Sequence, residues 1–197
     1  MKEKIQTIIQ NFAKNNSKNI LWIYGKSGYG KTKLAGFLSK EFRDEDKRVY
    51  SISTDRLVSL IIKLIVSNKS LQSLVSYYQG YDLVILDDVS IKLFYRLKTQ
   101  AEIKNIILKT VESKKTKFVL ISEKRPRKLP ALKFHTQNCQ YLRLKIPGYK
   151  IKIGLLKNWA REKNIAIPKR ALNIMANMAK NLFELKGSFN QFYFSKS

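Results

Sequence analysis

The clearest chemistry in this sequence lies in eight consecutive residues. Gly25-Lys26-Ser27-Gly28-Tyr29-Gly30-Lys31-Thr32 fits G-x-x-x-x-G-K-[ST] at every fixed position. Glycines in such a loop let successive backbone N–H groups turn inward around a phosphate. A helix that starts where the loop ends adds its positive pole. Lys31 is placed to reach the β- and γ-phosphates, and the Thr32 hydroxyl to ligate Mg²⁺. The expected chemistry is capture of ATP, ADP or another nucleotide with Mg²⁺ by residues Gly25 to Thr32.

A second constellation belongs to the same chemistry. Asp82-Leu83-Val84-Ile85-Leu86-Asp87-Asp88 reads as a buried strand ending in paired acids. Asp87 is expected to hold the metal through water, alongside Thr32. Asp88 is the expected catalytic acid that orients or deprotonates an attacking water. A further apolar run ends in Ser122-Glu123, so Glu123, or else Ser122, is a candidate to address the γ-phosphate or its water. A solvated loop acid is the alternative for Glu123. The single cysteine, Cys139, and single histidine, His135, show no nucleophile–base pattern, and an inert thiol is expected.

The elements that must carry these residues alternate between helix and strand, which implies a parallel sheet covered on both faces. Residues 2–14 have Ile5, Ile8, Ile9 and Phe12 at helical spacing. Asn15-Asn16-Ser17 breaks that helix. Strands are expected at 20–24, 49–53, 83–86, 118–122 and 141–144. Helices are expected at about 31–43, within 54–79 and at about 99–113. Pro147-Gly148 marks a break, and 149–194 reads as helical, with Pro168 as a first helical residue. The expected organisation is an α/β nucleotide-binding domain over 1–147 and a small helical subdomain over 148–197.

Composition adds a partner class. Lys plus Arg is 39 against 14 acidic residues, a net charge of +25. Such a field attracts polyanions, with nucleic acid first among them. Thirty of the 39 basic residues are lysine, so genome bias is the competing explanation. No run of 18 or more apolar residues exists, and a cytoplasmic protein with neither a secretory leader nor a membrane partner is expected.

Taken together these segments resemble the AAA+ ATPases, in particular the DnaA and Hda group of replication proteins. The resemblance is carried by Leu21 to Thr32, the Val49–Ser53 strand, Tyr81 to Asp88 and Thr99-Gln100-Ala101-Glu102. It continues through Phe118 to Leu129, Ile146-Pro147 to Ile167-Pro168, and Glu184-Leu185-Lys186-Gly187. It implies a three-layer P-loop fold with a parallel five-stranded sheet in the order 5-1-4-3-2 and a C-terminal helical lid. It also implies a replication role and single-strand-binding helices within 54–79, where Arg56 and Lys63 are candidate nucleic-acid contacts. Core packing is the competing reading for the apolar residues there, and for Tyr77 and Tyr78, which would otherwise stack on bases. The run Lys124-Arg125-Pro126-Arg127-Lys128 adds Lys124, Arg125 and Arg127 as candidate phosphate contacts. Lys114-Lys115-Thr116-Lys117 is a similar run, and a solvated charged face is the alternative for both.

Departures from the family pattern shape the functional expectation. The chain opens at a helix just ahead of the first strand, so the segment that packs on adenine is expected to be missing. No helix-turn-helix DNA-binding domain is expected either. Phe183 stands where the lid arginine precedes Glu184. No arginine finger lies in register near Lys133 to Thr136, where His135 or Arg143 would have to substitute. Slow or partner-dependent hydrolysis is therefore expected. The leading reading is a DnaA/Hda-like switch that binds nucleotide and DNA or another replication protein, with self-assembly open. The alternatives are a helicase-loader-like or transposase-helper ATPase, a non-hydrolysing adaptor, and a small-molecule kinase.

Overall fold

The computed structural model describes residues 2–14, 18–89, 97–113, 115–126, 129–135 and 137–195. Arg127 and Lys128 lie outside these residues, as do Asn15 to Ser17, Lys114 and Thr136. Among the described residues no helix is long and apolar enough to cross a membrane.

Five parallel strands form one sheet: β1 (Ile20–Tyr24), β2 (Val49–Ser53), β3 (Leu83–Asp87), β4 (Lys117–Ser122) and β5 (Cys139–Arg143). Their order is β2-β3-β4-β1-β5, the expected order read from the other edge. The inner strands are runs of almost unbroken apolar residues because helices cover both faces. On one face Trp22, Ile52, Val84, Leu86, Phe118 and Leu120 pack with α3 (Thr54–Val66), α4 (Gln72–Gln79) and α5 (Leu97–Glu112). On the other, α2 (Lys31–Asp44) lies against β2, β3 and β4 and is met by α1 (Lys2–Lys14). Its Ala35, Leu38 and Phe42 are buried. α5 and β5 each begin two residues earlier than the sequence pattern suggests.

Lys117 corrects one expectation. It is the first residue of β4 and only 5% exposed. Its Nζ donates to the Phe12 carbonyl at 2.6 Å and sits 5.3 Å above the Phe12 ring. A carbonyl near the end of α1 thereby gains a donor, so Lys117 is not a surface phosphate contact. Burial lowers its pKa to about 8.

The chain divides into two compact units, Met1–Gly25 with Lys31–Arg143, and Lys26–Gly30 with Leu144–Ser197. The second unit holds α6 (Tyr149–Glu162), α7 (Lys169–Met178) and α8 (Leu182–Phe194) around Leu156, Leu172, Met175, Leu185 and Phe189. Buried Lys152 donates from Nζ to the carbonyls of Ala176 and Ala179 at 3.1 and 2.6 Å, satisfying the end of α7. Pro168 caps α7 rather than opening it, because its ψ of 144° is still extended. Asn181 caps α8: its Oδ1 accepts from Glu184 N at 2.9 Å, and the Glu184 carboxylate accepts from Lys180 N at 2.7 Å.

Candidate phosphate-binding site

In the first unit the strands end together. The register pairs Tyr24 with Ser122 and with Arg143, and Ser53 with Asp87. Open α/β sheets bind ligands at this carboxyl edge. Gly25 N donates to the Ser122 carbonyl at 3.2 Å, so the loop leaves β1 beside the end of β4. Lys31 opens α2, and its Nζ donates to the Gly25 carbonyl at 2.7 Å. Burial lowers the Lys31 pKa, while Glu123, Asp87 and Asp88 oppose that shift electrostatically. All three acids lie at or just past the carboxyl ends of β3 and β4.

Asp87 is held at two points. Its carbonyl accepts from Thr54 Oγ1 at 3.0 Å, and its Oδ1 accepts from Asp88 N at 2.7 Å. Asp88 is left-handed, with φ 54°, a conformation that few residues other than glycine adopt readily. A cavity of about 330 Å³ opens between α2 and the sheet, with Thr32, Ser51, Ser53 and Asp87 among its polar lining. Hydroxyl and carboxylate oxygens at Thr32 and Asp87 suit a hard divalent cation, so these residues fit Mg²⁺. Ser122 is differently employed. It is 1% exposed, its Oγ accepts from Trp22 Nε1 at 2.8 Å, and it donates to the Lys124 carbonyl at 2.7 Å. That hydroxyl belongs to the core, which leaves the exposed Glu123 as the candidate at the end of β4.

The tip of the loop packs within the helical unit. Gly28 and Gly30 have φ of 75° and 88°. Leu182 N donates to the Gly28 carbonyl at 3.0 Å, and the Leu182 side chain lies over Gly30. A Cβ on Gly28 would stand 2.9 Å from both Asn181 Cβ and Phe183 Cδ2. Sequence reasoning missed this role. The one signal was a glycine at a loop position that the phosphate-binding pattern leaves open.

Comparison with known proteins agrees with this geometry. Residues 3–143 match the family described as the bacterial DnaA ATPase domain. The chain belongs to that family. The chromosomal replication initiator protein DnaA of Oenococcus oeni is 31% identical over 180 residues, covering 87% of this chain and 39% of that protein. Among solved structures, a replication initiator DnaA bound to AMPPCP and single-stranded DNA superimposes with a TM-score of 0.78 at 22% identity. That match covers 97% of this chain and 59% of the other. Domain III of the Thermotoga maritima DnaA gives a TM-score of 0.75 at 20% identity over 94% of this chain and 80% of the other. These likenesses show the AAA+ fold. This DnaA-family chain spans 39% and 37% of the length of two of its curated relatives.

The remaining candidates of this DnaA-family chain are spread over the sheet's surroundings. Arg56 and Lys63 are exposed on α3, and Lys124 and Arg125 are exposed after β4. The apolar pattern of α3 divides: Leu57 and Ile61 are buried, whereas Ile62, Ile65 and Val66 are 53%, 55% and 77% exposed. Tyr78 is in the core, while Tyr77 is half exposed and clusters with Tyr50 and Tyr81. Arg143 ends β5 next to Tyr24, at the loop's end of the sheet, whereas His135 precedes β5 at the opposite end.

Proposed function

We propose that this chain is a nucleotide-dependent switch module of DNA replication initiation or its regulation. It binds ATP or ADP through Gly25 to Thr32. The observation that carries the reading is the meeting of Thr32, at the start of α2, and Asp87, at the end of β3, in one cavity beside the loop at the carboxyl edge of the sheet. Thr32 and Asp87 would hold Mg²⁺, which when bound neutralises phosphate charge. Asp88 and Glu123 are the candidates for orienting a water. Residues 1–147 form the nucleotide-binding domain and 148–197 its lid. The solved relative that carries AMPPCP and single-stranded DNA supports both ligand classes.

Titration with a fluorescent ATP analogue tests the binding reading. Lys31→Ala is expected to abolish binding, and an unchanged affinity would sink it. A non-hydrolysing adaptor is the second reading, favoured by Phe183 in the first turn of α8 where an arginine is expected. Hydrolysis measured with and without single-stranded DNA separates the two: a rate above background that Asp88→Asn removes supports the enzyme, and a background rate supports the adaptor. The net charge of +25 supports nucleic-acid contact, including Arg56, Lys63, Lys124, Arg125 and Arg127. Binding to single-stranded DNA is then expected to weaken steeply as salt rises.

A further inference from the structure

We propose that Thr54 is a positioning residue that ties α3 to the acid pair Asp87-Asp88, so that a single strand engaged by α3 is felt at the metal-binding end of β3. The inference rests on the readings that Thr32 and Asp87 hold Mg²⁺ and that Arg56 and Lys63 of α3 contact nucleic acid.

Thr54 is the first residue of α3 and is 0% exposed. A hydroxyl buried so deeply is costly unless it is bonded, and a valine would fill the same space. Its Oγ1 donates to the carbonyl of Asp87 at 3.0 Å. Ser53 and Asp87 form the last registered pair between β2 and β3. The bond therefore extends the β2–β3 attachment one residue past the ladder, where the strands are released into α3 and into Asp88. Holding the Asp87 carbonyl fixes the peptide that leads into the left-handed Asp88, whose N–H in turn holds Asp87 Oδ1 at 2.7 Å. One peptide thus takes the Thr54 bond at its carbonyl and gives its N–H to the carboxylate.

Ser53 reinforces the attachment. It accepts the capping bond from Arg56 N at 3.4 Å and lines the same cavity as Thr32 and Asp87. The helix that begins at the Asp87 carbonyl thus carries exposed Arg56 and Lys63, seven residues apart on one side, and exposed Ile62 and Ile65. Two cations there, in a chain of net charge +25, complement a polyanion.

The test compares the full chain with Thr54→Val and Thr54→Ser, titrating Mg²⁺ at fixed fluorescent ADP and repeating the series in EDTA. Loss of one such hydrogen bond is worth about 0.5–1.5 kcal/mol, which predicts a roughly 2- to 13-fold higher Mg²⁺ half-saturation in Thr54→Val. Affinity in EDTA is expected to stay within about twofold and Thr54→Ser to match the parent, a split that loss of structure would not produce. An oligothymidylate is expected to shift the half-saturation in the parent and in Thr54→Ser, but not in Thr54→Val. Equal Mg²⁺ dependence in all three proteins overturns the proposal. So does a parallel loss of EDTA affinity, or a parent that ignores the oligonucleotide. Should Thr54→Val not fold, Thr54→Ala carries the comparison. Should the parent bind no nucleotide, the underlying reading fails, and amide exchange at Asp88 and Val89 decides the role of Thr54. Faster exchange in Thr54→Val alone supports it, and equal exchange ends it.

Discussion

Replacing Gly28 by alanine probes the packing of the loop tip on α8. Two costs combine. The φ of 75° is left-handed, and a side chain there costs about 1–2 kcal/mol. The new Cβ also meets Asn181 Cβ and Phe183 Cδ2 at 2.9 Å. Phe183 can swing away, because it is 72% exposed. Asn181 cannot move without weakening the cap it makes with Glu184 N at 2.9 Å. Losing a cap costs about 1 kcal/mol, which brings the expected destabilisation to about 2–3 kcal/mol. Urea unfolding reads this through the fluorescence of Trp159, which belongs to the same unit as Gly28, in a Trp22→Phe background. Adding Phe183→Ala is expected to recover little. A change below about 0.5 kcal/mol, against a cap and backbone term several times larger, would refute both the backbone strain and the hard contact with Asn181.

Two further outcomes follow from buried groups. Ser122→Ala leaves the fully buried Trp22 Nε1 without its acceptor and is expected to cost about 1–3 kcal/mol. Nucleotide affinity is expected to stay within about twofold, and a larger drop in a folded variant would return Ser122 to the candidate site. Burial pushes the Cys139 thiol up to about 12, from 9.0. The unfolded chain therefore loses this proton first, and stability falls as pH rises from 9 toward 12. By pH 10 this group alone removes about 1 kcal/mol, a slope that Cys139→Ala is expected to lack. Identical pH profiles for the two proteins between pH 9 and 10.5 would refute it.

How far each element was legible depended on what its residues had to satisfy. β1, β3 and β4 announce themselves because strands covered on both faces need almost only apolar residues. The start of β5 does not, since Cys139-Gln140 carries no strong strand preference and is held by pairing with Ile20 and Leu21. Helix α3 shows its apolar residues by periodicity. Which of them face water depends on the sheet, and Ile62, Ile65 and Val66 were left outside. Lys117 read as one member of a charged run. Only the arrival of the Phe12 carbonyl made it a buried donor.

By itself the sequence determined the loop from Gly25 to Thr32, the acid-terminated strand and the order in which strands and helices alternate. Those features are local: they follow from spacing, from glycine's freedom and from apolar runs. Tertiary structure decided which polar groups are shared between distant segments. It turned Ser122 toward Trp22, set Thr32 and Asp87 on one cavity and gave the Asp87 carbonyl to Thr54. It also set the loop tip against Asn181 and Phe183. A buried polar atom must find a partner, and no local pattern says which distant segment will supply it.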